Sequence, residues 1–486
     1  MRYFIRKPKK KEMEEKLKLT KTKIMIKVGL AAVLFGLVYS ANAQFKSGMA
    51  FRTRMETYTI RTTWDADTQP QHTFTDFRIR PWFNYEASKK ISSRFMLEIG
   101  NMRFGNTAQG LQMGSKPASV VKMKRAYLDL QFTEVQRVAP IHEAKIRLGL
   151  MGEKDPHSLV LEEDIAGIKY SGRYNDLRYH LGYYVPAEGV EKNVNGTTYS
   201  YNSTTSAYGT GMILADISYR ITPKITAGLY NIIDMDTRAA DTAADVASSG
   251  YDPGNIRDYV NKNSTKMWIN PYFKGDFGMI TIDALLSYNS RSAEYEAVGK
   301  DINVDQTQND ELNDHRDNGS GIALSLKSNI KATKDLNIGV NLAYIPGDED
   351  GKDYWMQYKN KYQNGLEMIA TGVSDGNSYN YINRGAEGIM IPALTFTYKV
   401  NDDITLRGGF GMAMTTEDVK WTAADGTEKS DTNLGTEILL GARVRLLEKM
   451  TLNPYFGMFM PGEANTKASD KQDSQMRTGI VASINF

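Results

Sequence analysis

The feature that most constrains this chain is an alternation of apolar and polar residues with a period of two. Leu128 and Leu130 share one parity, whereas Asp129 and Gln131 share the other. Successive side chains of a β-strand point to opposite faces, so each such segment has one apolar and one polar face. About eighteen segments of this kind occupy residues 45–486, as in a wall between lipid and water. The sequence therefore predicts an all-β fold, a transmembrane antiparallel β-barrel of about 18 strands.

The connections between these segments alternate between short and long. The short connections lie at 88–90, 222–224, 331–334, 401–403 and 447–449. The long, polar connections are expected at 186–209, 235–264, 291–319, 345–387 and 415–432. Short periplasmic turns and long extracellular loops are typical of outer-membrane barrels.

The N-terminal segment has the pattern of a targeting sequence. Lysines precede an apolar run at 28–39, and Ala41 and Ala43 supply the small residues of a signal-peptidase site. The run is too short to span a bilayer as a helix. We expect residues 1–43 to be a cleaved signal peptide and residues 44–486 to form the barrel.

The C-terminal segment ends on an aromatic residue, Phe486, which shares its parity with Met476, Ile480 and Ile484. This resembles the strand by which the barrel-assembly machinery recognises its clients. The predicted location is the outer membrane of a Gram-negative-type bacterium, and the expected partners are its lipid, lipopolysaccharide and the assembly machinery.

Prolines within strands oppose this interpretation, because proline removes a hydrogen bond of the sheet. Four lie inside predicted strands on the lipid parity: Pro81, Pro271, Pro392 and Pro454. We expect them near the periplasmic rim or at β-bulges.

The number of strands predicts a pore, since sixteen to eighteen strands leave an aqueous channel. Arginines of the early and last strands fall on the lumen parity: Arg52, Arg54, Arg78, Arg80, Arg94, Arg125, Arg147, Arg443, Arg445 and Arg477. Closure of the barrel would bring them together as a basic wall, and such walls select anions. The alternative is that these charges pair across strands and only hydrate the wall.

One connection, 152–163, is acidic and could fold inward to form the constriction. Its titratable residues are Glu153, Asp155, His157, Glu162 and Glu163. Opposite a basic wall they would create a transverse field, whereas an ordinary surface loop is the other interpretation.

A family resemblance adds to this. The segment Ile146-Arg147-Leu148-Gly149-Leu150, a loop, and then Ile165-Ala166-Gly167-Ile168-Lys169-Tyr170 is similar to the strand–loop–strand of monomeric eighteen-stranded outer-membrane porins, which include alginate-export-like and substrate-specific channels. The resemblance implies a monomer that lets small hydrophilic or anionic solutes diffuse passively. It carries over no binding residue.

Other functions find less support. The five histidines (His72, His142, His157, His180 and His315) have no Ser or Asp at a telling spacing, so no enzyme is expected, and neither is a cofactor. A formal charge of +3 does not indicate nucleic acid.

Carboxylates at Asp348, Asp350 and Asp353 could hold calcium, although no metal is required and a solvated acidic loop is the alternative. A scaffold or partner-binding barrel with a loop-closed lumen is the alternative function.

Overall fold

The computed structural model describes residues 43–59, 71–104, 121–132, 143–186, 191–194, 197–200, 210–236, 258–298, 315–348, 355, 362–369, 387–423, 425–466 and 473–486. The predicted signal peptide lies outside them, apart from residue 43. The strands are β1 (Gln44–Thr59), β2 (Gln71–Ser88), β3 (Ile91–Arg103), β4 (Val121–Phe132), β5 (Ala144–Lys154), β6 (Glu162–Tyr174), β7 (Leu177–Val185), β8 (Glu191–Val194), β9 (Thr197–Ser200), β10 (Thr210–Thr222), β11 (Ile225–Asp236), β12 (Asp258–Asp276), β13 (Ile280–Val298), β14 (His315–Lys331), β15 (Leu336–Ile345), β16 (Ile389–Lys399), β17 (Ile404–Thr422), β18 (Glu428–Leu447), β19 (Met450–Pro461) and β20 (Gln475–Asn485). A single helical turn, α1, spans Glu463–Thr466.

Eighteen strands of the described chain form one closed antiparallel sheet. Each pairs with the next along the chain, β7 pairs with β10, and β20 pairs with β1 to close the barrel. At the closure, the backbone N–H of Phe486 donates to the carbonyl of Met49 at 2.9 Å. The short β8 and β9 pair only with each other. The predicted barrel and its strand number are confirmed.

The outer surface of the barrel is apolar. Large side chains are exposed around it, among them Phe83, Phe132, Ile168, Tyr219, Leu286, Leu394, Phe410 and Leu440. Closed barrels satisfy all strand hydrogen bonds within hydrocarbon, and those with an apolar belt span bacterial outer membranes. The protein is therefore an outer-membrane β-barrel.

Within the described residues, no helix has the length and apolar character needed to cross a bilayer.

One end of the barrel has short turns, as predicted, but several strands at the other end are longer than predicted. The connection expected at 415–432 is wrong, because β17 and β18 leave only residues 423–427 between them. Similarly, β12 begins within 235–264, and β13 and β14 extend into 291–319. These extensions lack apolar alternation because neither face of a strand beyond the membrane meets lipid. At the β17–β18 tip, the hydroxyl and N–H of Thr427 bind Asp425, which lowers the pKa of that carboxyl.

The four prolines lie within regular strands. Each keeps its pairing with one neighbouring strand, and the ladder to the other neighbour is interrupted there. The register on both sides of the gap is the same, as with Ile269 opposite Tyr288 and Tyr272 opposite Leu285. The expected bulges are therefore wrong for these residues: the missing N–H leaves a local gap without displacing the strands.

Candidate functional site: the lumen wall and two inward loops

Arginines of the early strands share carboxylates on the lumen face. Asp76 is 3.7 Å from Arg52 Nη2 and accepts a hydrogen bond from Arg54 Nε at 3.1 Å. Asp129 accepts a bidentate pair of bonds from Arg147 at 2.7 and 2.8 Å, with Lys145 Nζ 3.7 Å away. Each carboxylate thus serves two cations.

The same arrangement recurs one hairpin further on. Asp164 Oδ1 lies 3.5 Å from Arg125 Nε, and its other oxygen contacts Lys124. The side chains of Arg125, Lys145 and Arg147 keep 39%, 33% and 22% of their exposure. These cations therefore remain in contact with the lumen water, although each has a carboxylate partner.

A buried ion cluster lies at the seam where the last strands meet the first. Glu56, with no exposed surface, accepts a hydrogen bond from Arg477 Nη2 at 3.0 Å. The Tyr455 hydroxyl also donates to Glu56. Arg54 Nη1 stands 3.5 Å from the same carboxylate, so this seam cluster joins β19, β20 and β1.

The remaining arginines of the predicted wall are dispersed. Arg80 donates to Glu98 at 2.6 Å, and Arg94 stacks over the Trp82 ring at 5.3 Å. Arg78 lies on β2 two residues before Arg80, and its charge also acts on Glu98. At the turn end of β18, the exposed Arg445 binds Asp403 at 2.9 Å, and Arg443 is exposed near it. Seven arginines of the predicted wall meet a carboxylate in the structure: Arg52, Arg54, Arg80, Arg125, Arg147, Arg445 and Arg477.

The connection between β5 and β6, residues 155–161, is a compact turn that we call the first inward loop. Asp155 has no exposed surface and accepts four backbone N–H bonds, from residues 157, 159, 160 and 161, at 2.8–3.2 Å. Glu153 receives two bonds from Lys169 at 2.9 Å. Glu163 accepts the N–H of Asp164, and Glu162 begins β6 opposite Lys154. Most of these carboxylates hold the loop's own structure together.

His157 carries the first inward loop across the lumen. Its Nδ1 lies 2.6 Å from Ser325 Oγ on β14, and its Nε2 lies 2.8 Å from Asp283 Oδ1 on β13. Sequence spacing could not reveal this Ser–His–Asp group, because its members are 126 and 168 residues from the histidine. Ser325 and the His157 side chain have no exposed surface, so no substrate carbonyl can reach the hydroxyl. The group therefore holds the loop in place.

The apex of the first inward loop is apolar. Leu159, Val160 and Leu161 are fully buried against inward-facing residues of β10–β13, including Met212, Leu214, Ile232, Trp268 and Leu285. This apolar patch was not predicted, because the prediction considered only the charged residues of the lumen parity.

A second inward loop comes from the connection between β15 and β16, of which Trp355 and residues 362–369 are described. Glu437 on β18 accepts the N–H groups of Glu367, Met368 and Ile369 at 2.7–2.9 Å. Arg407 on β17 lies 3.4 Å from the Glu367 carboxylate. This loop therefore covers the lumen face of β17 and β18.

Glycines make room for the second inward loop. A Cβ added at Gly411 would lie 2.4 Å from Leu366 Cδ1, and one at Gly409 would lie 2.8 Å from Leu366 Cδ2. Asn341 also binds the Asn364 carbonyl at 3.1 Å. The small lumen residues of β15–β17 therefore make room for a loop. The apolar residues Leu366, Met368 and Ile369, in an otherwise polar β15–β16 connection, were the sequence signal for this inward packing.

We call β20 and β1–β5 the basic arc, and β10–β19 the covered arc. Ion clusters occupy the basic arc, whereas the two inward loops contact the covered arc. Of the predicted calcium ligands, Asp350 and Asp353 lie outside the described residues, and the described part of the chain holds no group of three ligand side chains suited to a metal.

A scan against protein-family models and a search of curated proteins give no match for this sequence. Solved structures give similar folds. The outer membrane protein OpdK from Pseudomonas aeruginosa is 10% identical, with 91% of this chain and 98% of that chain covered at a TM-score of 0.48. OccAB4 from Acinetobacter baumannii is 11% identical, with the same coverage and score. The resemblance to alginate-export-like channels stays a prediction.

Proposed function

We propose that this protein is an outer-membrane porin through which small hydrophilic solutes diffuse passively, with a preference for anions. The observation that carries the proposal is the basic arc inside a closed eighteen-stranded barrel. A barrel of this size encloses more space than its own wall side chains fill, so a water path remains unless loops close it.

The preference for anions follows from the charge count of the ion clusters. Asp76, Asp129 and Asp164 each contact two cations, so each cluster keeps a surplus positive charge. Within a low-dielectric tube such a surplus raises the local concentration of anions. Ion pairing and anion selection are thus compatible, because the clusters, with Glu56 and Arg477 of the seam included, hold seven cations and four carboxylates.

The proposed constriction lies between the first inward loop and the basic arc. The loop's contacts with β13 and β14 displace the open path towards the early strands. A solute would then pass close to Arg125, Lys145 and Arg147, which face the lumen.

Charge removal from the basic arc tests the proposal. The double variant Arg125→Gln/Lys145→Gln leaves Lys124 and Arg147 to bind the two aspartates, so the clusters become neutral without orphaned carboxylates. We expect the reversal potential in a salt gradient across a planar bilayer to shift towards cations. Arg445→Gln removes a charge at the rim and is the control. An unchanged anion/cation ratio in the double variant would contradict the preference for anions.

A scaffold or partner-binding barrel is the second candidate, because two inward loops cover much of the wall. Recordings of purified protein separate the two. Discrete conductance steps support the porin, whereas silence supports a closed barrel. Lipopolysaccharide and the barrel-assembly machinery remain proposed partners.

A further inference from the structure

A cavity opens at the turn end of the barrel, away from the lumen clusters. Its volume is about 670 Å³, and it is lined by the β6–β7 turn, Arg173, Tyr174, Leu177, Tyr219 and Arg220. We call it the rim cavity. Tyr174 and Tyr219 are 41% and 54% exposed.

One side of the rim cavity is apolar and faces lipid. Tyr174 on β6 pairs with Leu177 on β7, which pairs in turn with Tyr219 on β10, so the three side chains form a row at one level. Tyr219 has the parity of the exposed Ile217 and Ile221. The row therefore belongs to the outer surface of the barrel, where tyrosines mark the membrane interface.

The other side of the rim cavity is basic. Arg173 directly faces Arg178 across the β6–β7 pair, and like charges in that position repel. Arg220 places Nε and Nη2 on Asp176 at 2.8 and 2.5 Å. Among the described residues, the hydrogen bond of Arg173 uses Nε, on the Asn175 carbonyl at 2.8 Å, and leaves both Nη groups for another acceptor.

The apolar and basic sides of the rim cavity meet at a defined depth in the membrane. Short turns lie on the periplasmic side of such barrels, which places this rim at the headgroup level of the inner leaflet. A phosphodiester there would accept hydrogen bonds from the Nη groups of Arg173, and arginine binds phosphate strongly through paired N–H groups. The attached acyl chains would lie along the tyrosine and leucine row.

We propose that the rim cavity binds the phosphodiester headgroup of a glycerophospholipid from the inner leaflet. Arg173 binds the phosphate through its Nη groups, beside the Arg220–Asp176 pair, and Tyr174, Leu177 and Tyr219 contact the upper acyl chains. The site is independent of what the lumen transports, and it fixes β6, β7 and β10 against the membrane.

Native mass spectrometry of the detergent-solubilised protein titrated with phosphatidylglycerol tests this site. We expect Arg173→Gln to weaken retention of one lipid about tenfold, as for loss of a charge-assisted hydrogen bond, and Arg173→Lys to restore part of it. Arg445→Gln is the matched control, since Arg445 binds Asp403 at 2.9 Å elsewhere on the same rim. Equal lipid retention by wild type, Arg173→Gln and Arg445→Gln would overturn the proposal.

The source of the phosphate is tested separately. Tyr219→Ala should weaken phosphatidylglycerol retention and leave the response to inorganic phosphate unchanged. If inorganic phosphate displaces the lipid at equal concentration and Tyr219→Ala has no effect, the cavity binds anions and the lipid proposal fails. Heat-dependent migration in gels verifies that each variant forms the barrel.

Discussion

Two arcs of one barrel wall meet the lumen in different ways. Along the basic arc, long cationic side chains reach inward and stay partly exposed, as Arg125 and Lys145 do. Along the covered arc, many inward residues are apolar or small, and protein segments pack on them, as on Leu214 and Gly411. Both arcs obey the same alternation of faces. The inward side chains, and not the strand geometry, therefore determine whether an arc is covered by water or by protein.

Substitutions in the two arcs should change different properties of the channel. Charge substitutions on the basic arc should alter ion selectivity with little change in conductance. Release of a loop from the covered arc should widen the path, which raises conductance and weakens selectivity because the added wall is less basic.

The largest effect is expected from Asp155→Ala. It removes the acceptor of four buried N–H groups and should cost the first inward loop at least about 3 kcal/mol, so the loop would leave β13 and β14. Single-channel conductance should rise, with more open-channel noise. Glu162→Ala, which removes a carboxylate at the edge of the same connection, is the control. If Asp155→Ala conducts like wild type, this loop does not narrow the pore.

Glu437→Gln should release the second inward loop. The amide keeps one acceptor oxygen but turns its NH₂ group towards N–H groups of residues 367–369, at a cost of about 2–4 kcal/mol. We expect a smaller rise in conductance, because Arg407 and Asn341 still contact the loop. Glu428→Gln, at the exposed start of β18, should behave as wild type. A rise in conductance as large as that of Asp155→Ala would contradict the prediction that the first inward loop narrows the pore more than the second.

The smallest effect is expected from Ser325→Ala. It removes the 2.6 Å contact with His157 Nδ1 and leaves Asp283 on Nε2, so the loop loses about 1 kcal/mol. Mean conductance should stay the same, and only brief loop openings should become more frequent in single-channel records. A conductance change equal to that of Asp155→Ala would make the histidine, and not the aspartate, the main anchor.

The barrel could be predicted from sequence because its outer face must be apolar wherever it meets lipid. The same reasoning fails beyond the membrane, which is why Thr415–Thr422 of β17 was interpreted as loop. Parity alone predicts that the arginines face the lumen. Their partners could not be predicted, because Asp129 meets Arg147 only through the register of β4 and β5.

The sequence predicts that the 152–163 connection could fold inward, but the contacts that hold both inward loops lay beyond prediction for a different reason. The contact of His157 with Ser325 joins residues 168 positions apart across an open space, and no sequence period reports it. Parity does locate Met212 and Leu214 on the lumen face, and their apolar character was a readable sign that protein would cover them.

The seam cluster also bears on how the barrel closes. A slip of β20 against β1 by two residues keeps every side chain on its own face, so lipid cannot distinguish it from the native pairing. Such a slip would separate Glu56 from Arg477 and Tyr455. The fully buried Glu56 charge would then have no partner there, which would destabilise the folded barrel. The seam cluster therefore specifies a single register of β20 on β1 when the barrel closes.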